Sequence, residues 1–398
     1  MTRLTRRTFM QCCSSAALSA LAGCGVRESD STLDDFIQQQ MRFHHIPGLA
    51  VTAVHDGAVV LSRGFGWSNI EQRVPMTPDA IQNIGSTSKP VVTTVIMQCV
   101  ERGLIQLDDN INDHLPLPIL NPHHPATPIT VMQLLTHRSS LADGSSYGHG
   151  YQCGASEVPL QRWIDGYFQP GGEFFDVAEN FHAWAPGEQY EYNNVAFALL
   201  AYLVQVVTNR DFDHYCREEL FEPLGMENTT WLVSNVDKEQ HVTPYARVSN
   251  GEIDSPSWGG VDLALINGEI PPAEFEGLFA DCIYDHPNFA DGFLRTSAND
   301  MAMYQLMLLG GGQLNGARVL KESSVRLMFS GEGITWSQRE LPNGLVVWNH
   351  GGGDPGVSAL FDFRPGHGDG VIVFANTHGA KLDAISAYLF SVVEDFLD

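Results

Sequence analysis

The chain has 398 residues, 43% hydrophobic and 17% charged, enough for a large buried core and two or three domains' worth of chain. Its net charge of −25 argues against nucleic acid, whose phosphates require Lys and Arg, and against docking on anionic lipid through a basic patch. Excess acid serves solubility, and no stretch approaches the ~20 apolar residues of a membrane-spanning helix.

The first residues, "MTRLTRRTFMQCCSSAALSALAGCG", have a basic start, a short apolar segment and small residues before a cysteine. That is the layout of an export signal. "TRRTFM" resembles a twin-arginine motif around Arg6 and Arg7. "LAGC" resembles a lipobox, with Cys24 as the lipidated mature N-terminus. Residues 1–23 are therefore expected to be a signal, 24–33 a linker and 34–395 the folded domain. The protein is expected to be exported and held by lipid on the periplasmic side of a bacterial membrane, with no other membrane contact. Loss of residues 1–23 removes Arg3, Arg6 and Arg7 and no acid, moving the net charge from −25 to −28.

Of seven cysteines, Cys12 and Cys13 leave with the signal. Cys99 and Cys216 fall in helical patterns and read as small core residues. Cys153 and Cys282 fall in loop-like stretches and can pair in an oxidising compartment, which sequence leaves open. The spacings fit no zinc pattern, and no metal or cofactor is expected.

In chain order, "TLDDFIQQQMRFHH" (32–45) reads as a helix with Thr32 as N-cap candidate. Two β-branched runs around Asp56-Gly57 then signal a hairpin. "TPITVMQLLTH" and "NNVAFALLAYLVQVVTN" are helical. "LVVWNHGG", "ALFDFRPG" and "GVIVFANT" are strands, and "LDAISAYLFSVVEDFL" is an amphipathic helix. The terminal segments, about 34–80 and 290–395, are expected to form an antiparallel sheet with helices on its faces. Residues of about 86–290 would form a mainly helical region beside it, giving a mixed α/β (α+β) fold.

Within "IGSTSKPVVTTVIMQCVERG" (84–103), Lys89 stands three residues after Ser86 and just before an apolar helical run. Residues three apart share a helix face. Pro90 is tolerated only in a first turn, so the helix must begin near Ser86. A serine hydroxyl needs a base beside it to act as a nucleophile. Partial desolvation at a helix start disfavours an ammonium, which allows Lys89 to take or relay that proton. The chain has four lysines and only this one follows a serine at that spacing. The alternative is a solvated lysine at a helix end.

Tyr192-x-Asn194 precedes a long apolar helix and is the chain's one Y-x-N. Its phenol can shuttle a proton beside cations. Asn194 offers both a donor and an acceptor, so it can hold Lys89 and a substrate amide together. "WNHGGGDPG" ends a strand at His350 and three glycines, where backbone N–H groups can approach a ligand closely.

In this order and at these spacings, S-x-x-K, Y-x-N and H-x-G resemble the serine β-lactamase and penicillin-binding-protein-like superfamily, class C-related branch, from about residue 34 to 395. "IPGLAVTAVHDGAVVLSRGFG", "ITVMQLLTHRSSL", "PLGMENTTW" and "FLRTSANDMAMY" are similar to family segments. The resemblance implies a β-lactamase/transpeptidase-like fold. It implies Ser86 as acylated nucleophile, Lys89 and Tyr192 as the proton-transfer pair, and Asn194 as the residue positioning Lys89 and substrate. It places the oxyanion hole at the N–H groups of Ser86 and Gly353, beside His350 and Gly352.

Two departures stand out. His350 occupies the place of the lysine in K-T-G, so a carboxylate-bearing β-lactam would lack a permanent positive partner. A histidine titrating near its ordinary value of about 6.5 would supply that charge only in acid. Ser140 stands in "THRSSL" where many members have glycine.

"GSSYG" (144–148) matches G-x-S-x-G but has no strand before Ser146 and no helix pattern after it. His123 and His124 lack further ligand candidates. The aromatic stretch 167–184 is a candidate pocket wall. The expected function is acyl-enzyme hydrolysis of an ester, a D-amino-acid peptide or amide, or a β-lactam. The expected partner is thus a small-molecule or peptide substrate, such as one derived from peptidoglycan. The alternative is a slowly acylating or non-catalytic sensor or cell-wall binder. Oligomeric state is not legible.

Overall fold

The structure is a computed structural model, which describes residues 28–249 and 277–395 and the backbone of three short strands between them, at 252–254, 257–258 and 261–262. The expected signal, its arginines and Cys24 lie outside the described residues.

The first helix, α1, runs Glu28–His44. It starts earlier than the sequence predicts, so Thr32 lies within it and part of the presumed linker is helical. No glycine or proline separates Glu28 from Thr32, so nothing local halts the helix there. Strands β1 (Gly48–His55) and β2 (Ala58–Asn69) follow. Asp56 and Gly57 join them with φ of 46° and 79°, the two positive values that a type I′ hairpin turn requires. The short strand β3 is Val74–Pro75.

From the other end of the chain come β4 (Ser337–Glu340), β5 (Val346–Asp354), β6 (Val357–Arg364) and β7 (Asp369–Ala375). The sheet order is β4-β5-β6-β7-β1-β2-β3. β1 pairs with β7 through Leu49–Ala375 to His55–Asp369, so the two chain ends close one antiparallel sheet.

Both faces of β1 are buried, because period-two alternation sends its side chains to two cores. Leu49, Val51 and Ala53 pack with Leu33 and Ile37 of α1 and with Ile385 and Phe390 of α6 (Asp383–Asp395). Ala50 and Val54 face the larger core. That core is built on α2 (Lys89–Glu101), α3 (Val131–Leu135), α4 (Val195–Thr208) and α5 (Ala298–Leu309). Thr130 and Gln133 cap α3 reciprocally.

Cys153 and Cys282 form a disulfide, tying the short strands Gln152–Cys153 and Tyr284–Asp285 that pair beside it. Cys99 and Cys216 are buried and free.

Candidate active site

Ser86 lies on a 3₁₀ turn, Gly85–Ser88, that runs directly into α2. Pro90 occupies the first turn of that helix, where its missing N–H is harmless. Lys89 is completely buried. Its Nζ donates to Ser86 Oγ at 3.0 Å, to Asn194 Oδ1 at 2.8 Å and to the Asp291 carbonyl at 2.7 Å. An ammonium has three N–H donors, and each has an acceptor here. Two aromatic faces complete the enclosure, with Nζ 4.9 Å from the Tyr192 ring centroid and 5.4 Å from that of Phe197.

Tyr192 and Asn194 stand just before α4, which begins at Val195. The Tyr192 ring stacks on His137 at 4.4 Å, and Tyr192 lines an open cleft with Ser86. His137 accepts from the Asn193 N–H at 3.1 Å through Nδ1. Burial, then the neighbouring Lys89 and His350, push its pKa down to about 3, so it is a neutral platform for the phenol. Asn194 is held from both sides of its amide. Its oxygen holds Lys89, but it is only 2% exposed and its Nδ2 donates to Asp143 Oδ2 at 2.9 Å.

The glycine end of β5 packs against the Ser86 turn. Gly85 has φ of +54°, and a Cβ on it would stand 2.7 Å from the Gly353 nitrogen. A Cβ on Gly352 would collide with the Ile84 carbonyl, so Gly352 acts as a spacer. Gly353 faces open space and lines the cleft. Asn83 ties the two segments together. Its Oδ1 accepts from the Gly85 N–H at 2.8 Å and its Nδ2 donates to Asp354 Oδ2 at 2.9 Å. Asp354 also accepts from Tyr151 at 2.8 Å, and burial pushes its pKa up to about 7.

His350 lines the cleft and is 8% exposed. Its Nδ1 lies 2.8 Å from the Gly351 carbonyl. A carbonyl only accepts, so Nδ1 carries the proton and Nε2 a lone pair. Burial, followed by the Lys89 ammonium, lowers its pKa to about 4. This corrects the expectation of a histidine charging near pH 6.5.

The cleft measures about 910 Å³. Met132, Leu135, Tyr190, Ile334 and Trp336 supply its apolar walls, and Arg138 and Glu332 form an ion pair at 3.6 Å among its lining residues. The aromatic stretch 167–184 does not wall it. Tyr167, Phe168 and Phe181 are buried, and Phe174 packs on Trp163. Ser146 donates to the Phe174 carbonyl at 3.3 Å, and His124 contacts the Ala183 carbonyl. Ser140 has φ of 62°, which explains why a glycine suits that position; its hydroxyl accepts from Asn121 Nδ2 at 2.9 Å.

Asn83, Asp143, Asp291 and Asp354 were not legible as site residues. Only Asp354 lies in a stretch quoted above, as the acid of "WNHGGGDPG", where nothing local gives it a role, and the Asn83–Asp354 contact spans 271 positions.

The antiparallel sheet flanked by helices, with a Ser–Lys pair at the start of a buried helix, defines the architecture of the β-lactamase and penicillin-binding-protein-like superfamily, which consists largely of serine hydrolases. The chain belongs to the beta-lactamase family, whose model matches residues 33–390. It is 25% identical over 223 residues to protein flp of Staphylococcus aureus strain MW2, covering 55% of this chain and 41% of that protein. The chain thus spans about two fifths of the length of this curated relative. Two solved structures share the fold. The octameric penicillin-binding protein homologue from Pyrococcus abyssi has 24% identity and a TM-score of 0.67, over 92% of this chain and 77% of that one. The D-amino acid amidase from Ochrobactrum anthropi SV3 has 17% identity and a TM-score of 0.73, over 93% and 100%.

Proposed function

We propose that this protein is a serine hydrolase working through an acyl-enzyme on Ser86, with esters and D-amino-acid amides or peptides as better substrates than β-lactams. The observation that carries this reading is the 3.0 Å hydrogen bond from Lys89 Nζ to Ser86 Oγ. Ser86 Oγ attacks the substrate carbonyl carbon as its proton passes to the Lys89–Tyr192 pair, with Lys89 in its neutral amine form at that moment, because an ammonium has no lone pair to take a proton. The N–H groups of Ser86 and Gly353 receive the oxyanion. The proton then leaves with the alcohol or amine, and water releases the acyl group by the reverse relay. The solved amidase lends support for amide substrates through its name alone. The lone pair on His350 Nε2 supports substrates without a carboxylate at that point.

Labelling with a fluorophosphonate probe, peptide mapping and turnover of nitrophenyl esters, D-alanyl peptides and nitrocefin test this reading. Label on Ser86 with ester or peptide turnover is expected. Label on Ser146, or label surviving in Ser86→Ala, overturns the nucleophile. Stable label without product release returns the chain to a slowly acylating sensor.

The twin-arginine and lipobox-like sequences support export and anchoring through Cys24. Labelled fatty acid should enter the wild type and not Cys24→Ser. Unlipidated cytoplasmic wild type would refute the anchor.

A further inference from the structure

Asp143 lies in the loop after α3, in the stretch "SSLADG", and belongs to no motif. Its carboxylate meets the start of α4 head on. The backbone N–H of Asn194 donates to its two oxygens at 3.0 and 2.9 Å, that of Val195 to Oδ1 at 3.0 Å, and Asn194 Nδ2 to Oδ2 at 2.9 Å. Burial pushes the Asp143 pKa up, while the Val195 and Asn194 donors and the Lys89 charge oppose that rise.

The two sides of Asn194 face opposite chemistries. Lys89 Nζ can only donate, and it reaches Asn194 Oδ1 at 2.8 Å. An ionised carboxylate can only accept. With Asp143 holding the amide nitrogen, the oxygen has one direction left. Without that hold, a flipped amide would set its NH₂ against the ammonium, and Lys89 would lose one of its three acceptors in a fully buried place.

We propose that Asp143 is a positioning residue of the active site, fixing the Asn194 amide so that its oxygen faces Lys89 and the ammonium stays aimed at Ser86. The proposal rests on the reading of Lys89 as part of the proton relay. The titratable groups facing Lys89 are Asp143 from the loop, Asp291 from the turn Phe289–Asp291, His137 from the end of α3, Tyr192 before α4, and His350 on β5. Of these, only Asp143 bonds Asn194.

The full chain is compared as wild type, Asp143→Asn, Asn194→Ala, Lys89→Ala and the exchanged pair Asp143→Asn with Asn194→Asp, using a nitrophenyl ester and thermal melting. Asp143→Asn should lower kcat by about 10- to 100-fold, taking as scale the loss seen when the partner that orients a metal ligand is removed, with little change in KM. The exchanged pair keeps an oxygen toward the ammonium and a donor–acceptor contact between the side chains, so it should recover most of the lost kcat. A helix cap acting on folding alone would show neither the kcat-only loss nor the recovery. Wild-type kcat in Asp143→Asn, or no recovery in a folded exchanged pair, overturns the proposal. Failure of both variants to fold overturns it too, assigning Asp143 to folding. Lys89→Ala separates the two readings. If it is inactive while Asp143→Asn is normal, only the positioning role falls; if it keeps wild-type kcat, the relay itself falls.

Discussion

Gly85 and Gly353 sit so close that a Cβ on the first would stand 2.7 Å from the nitrogen of the second. This contact sets the Ser86 turn against the strand whose Gly353 N–H is proposed as the second oxyanion donor. Asn83 holds the same junction through Gly85 and Asp354.

Gly85→Ala should therefore displace Gly353 and add strain at a φ of +54°. We expect kcat/KM on a nitrophenyl ester to fall by roughly 10²–10³, the usual effect of losing one oxyanion donor, with a smaller drop in Tm. Unchanged kcat/KM would show that the Gly353 N–H is not used.

Lys89→Ala and Tyr192→Phe should each lower turnover by about 10²–10⁴-fold, the span of general acid–base contributions. The Lys89 ammonium lies 4.9 Å from the Tyr192 ring centroid, and in the proposed relay both residues serve one proton. The double variant should therefore lose less than the product of the two single losses. Steady-state rates of the four proteins decide it; full multiplicativity would mean independent roles.

His350 should remain neutral across pH 5–9. A base with its pKa lowered to about 4 stays deprotonated above that value, so cleavage of carboxylate-bearing substrates should show no rise near pH 6.5. His350→Lys should improve nitrocefin kcat/KM by about 5- to 150-fold, corresponding to ~1–3 kcal/mol for a charge-assisted hydrogen bond, without a like gain on an uncharged ester. Wild-type nitrocefin turnover that exceeds ester turnover would count against the assigned preference.

The Cys153–Cys282 bridge spans 129 positions. Replacing both cysteines by serine should reduce stability by about 2–5 kcal/mol, read by denaturant unfolding. Tyr151, two residues from Cys153, holds Asp354, so ester turnover should fall as well. Equal stability with and without the bridge would refute its structural role.

The sequence by itself determined the motif residues and much of the architecture. Asp56-Gly57 marks a hairpin because both turn positions need positive φ, a local demand. Ser86 and Lys89 share a space because three residues make nearly one helical turn, again local. Pro90 fixed the start of α2 to within one turn. The helix start at Thr32 was misplaced because a fair N-cap does not end a run that lacks a breaker upstream.

Tertiary structure decided what depends on burial and on distant segments. Composition cannot show that His350 is enclosed near an ammonium, and that enclosure lowers its pKa. The aromatic stretch 167–184 carries the same residue types as a pocket wall, but packing turned Tyr167, Phe168 and Phe181 into the core and left the wall to Tyr190, Ile334 and Trp336. Asp143 acquires its place only when its loop meets the start of α4, and Asn83 and Asp354 only when the segment before the Ser86 turn meets the end of β5. No local periodicity encodes such a meeting, because it is set by how the two cores close around β1.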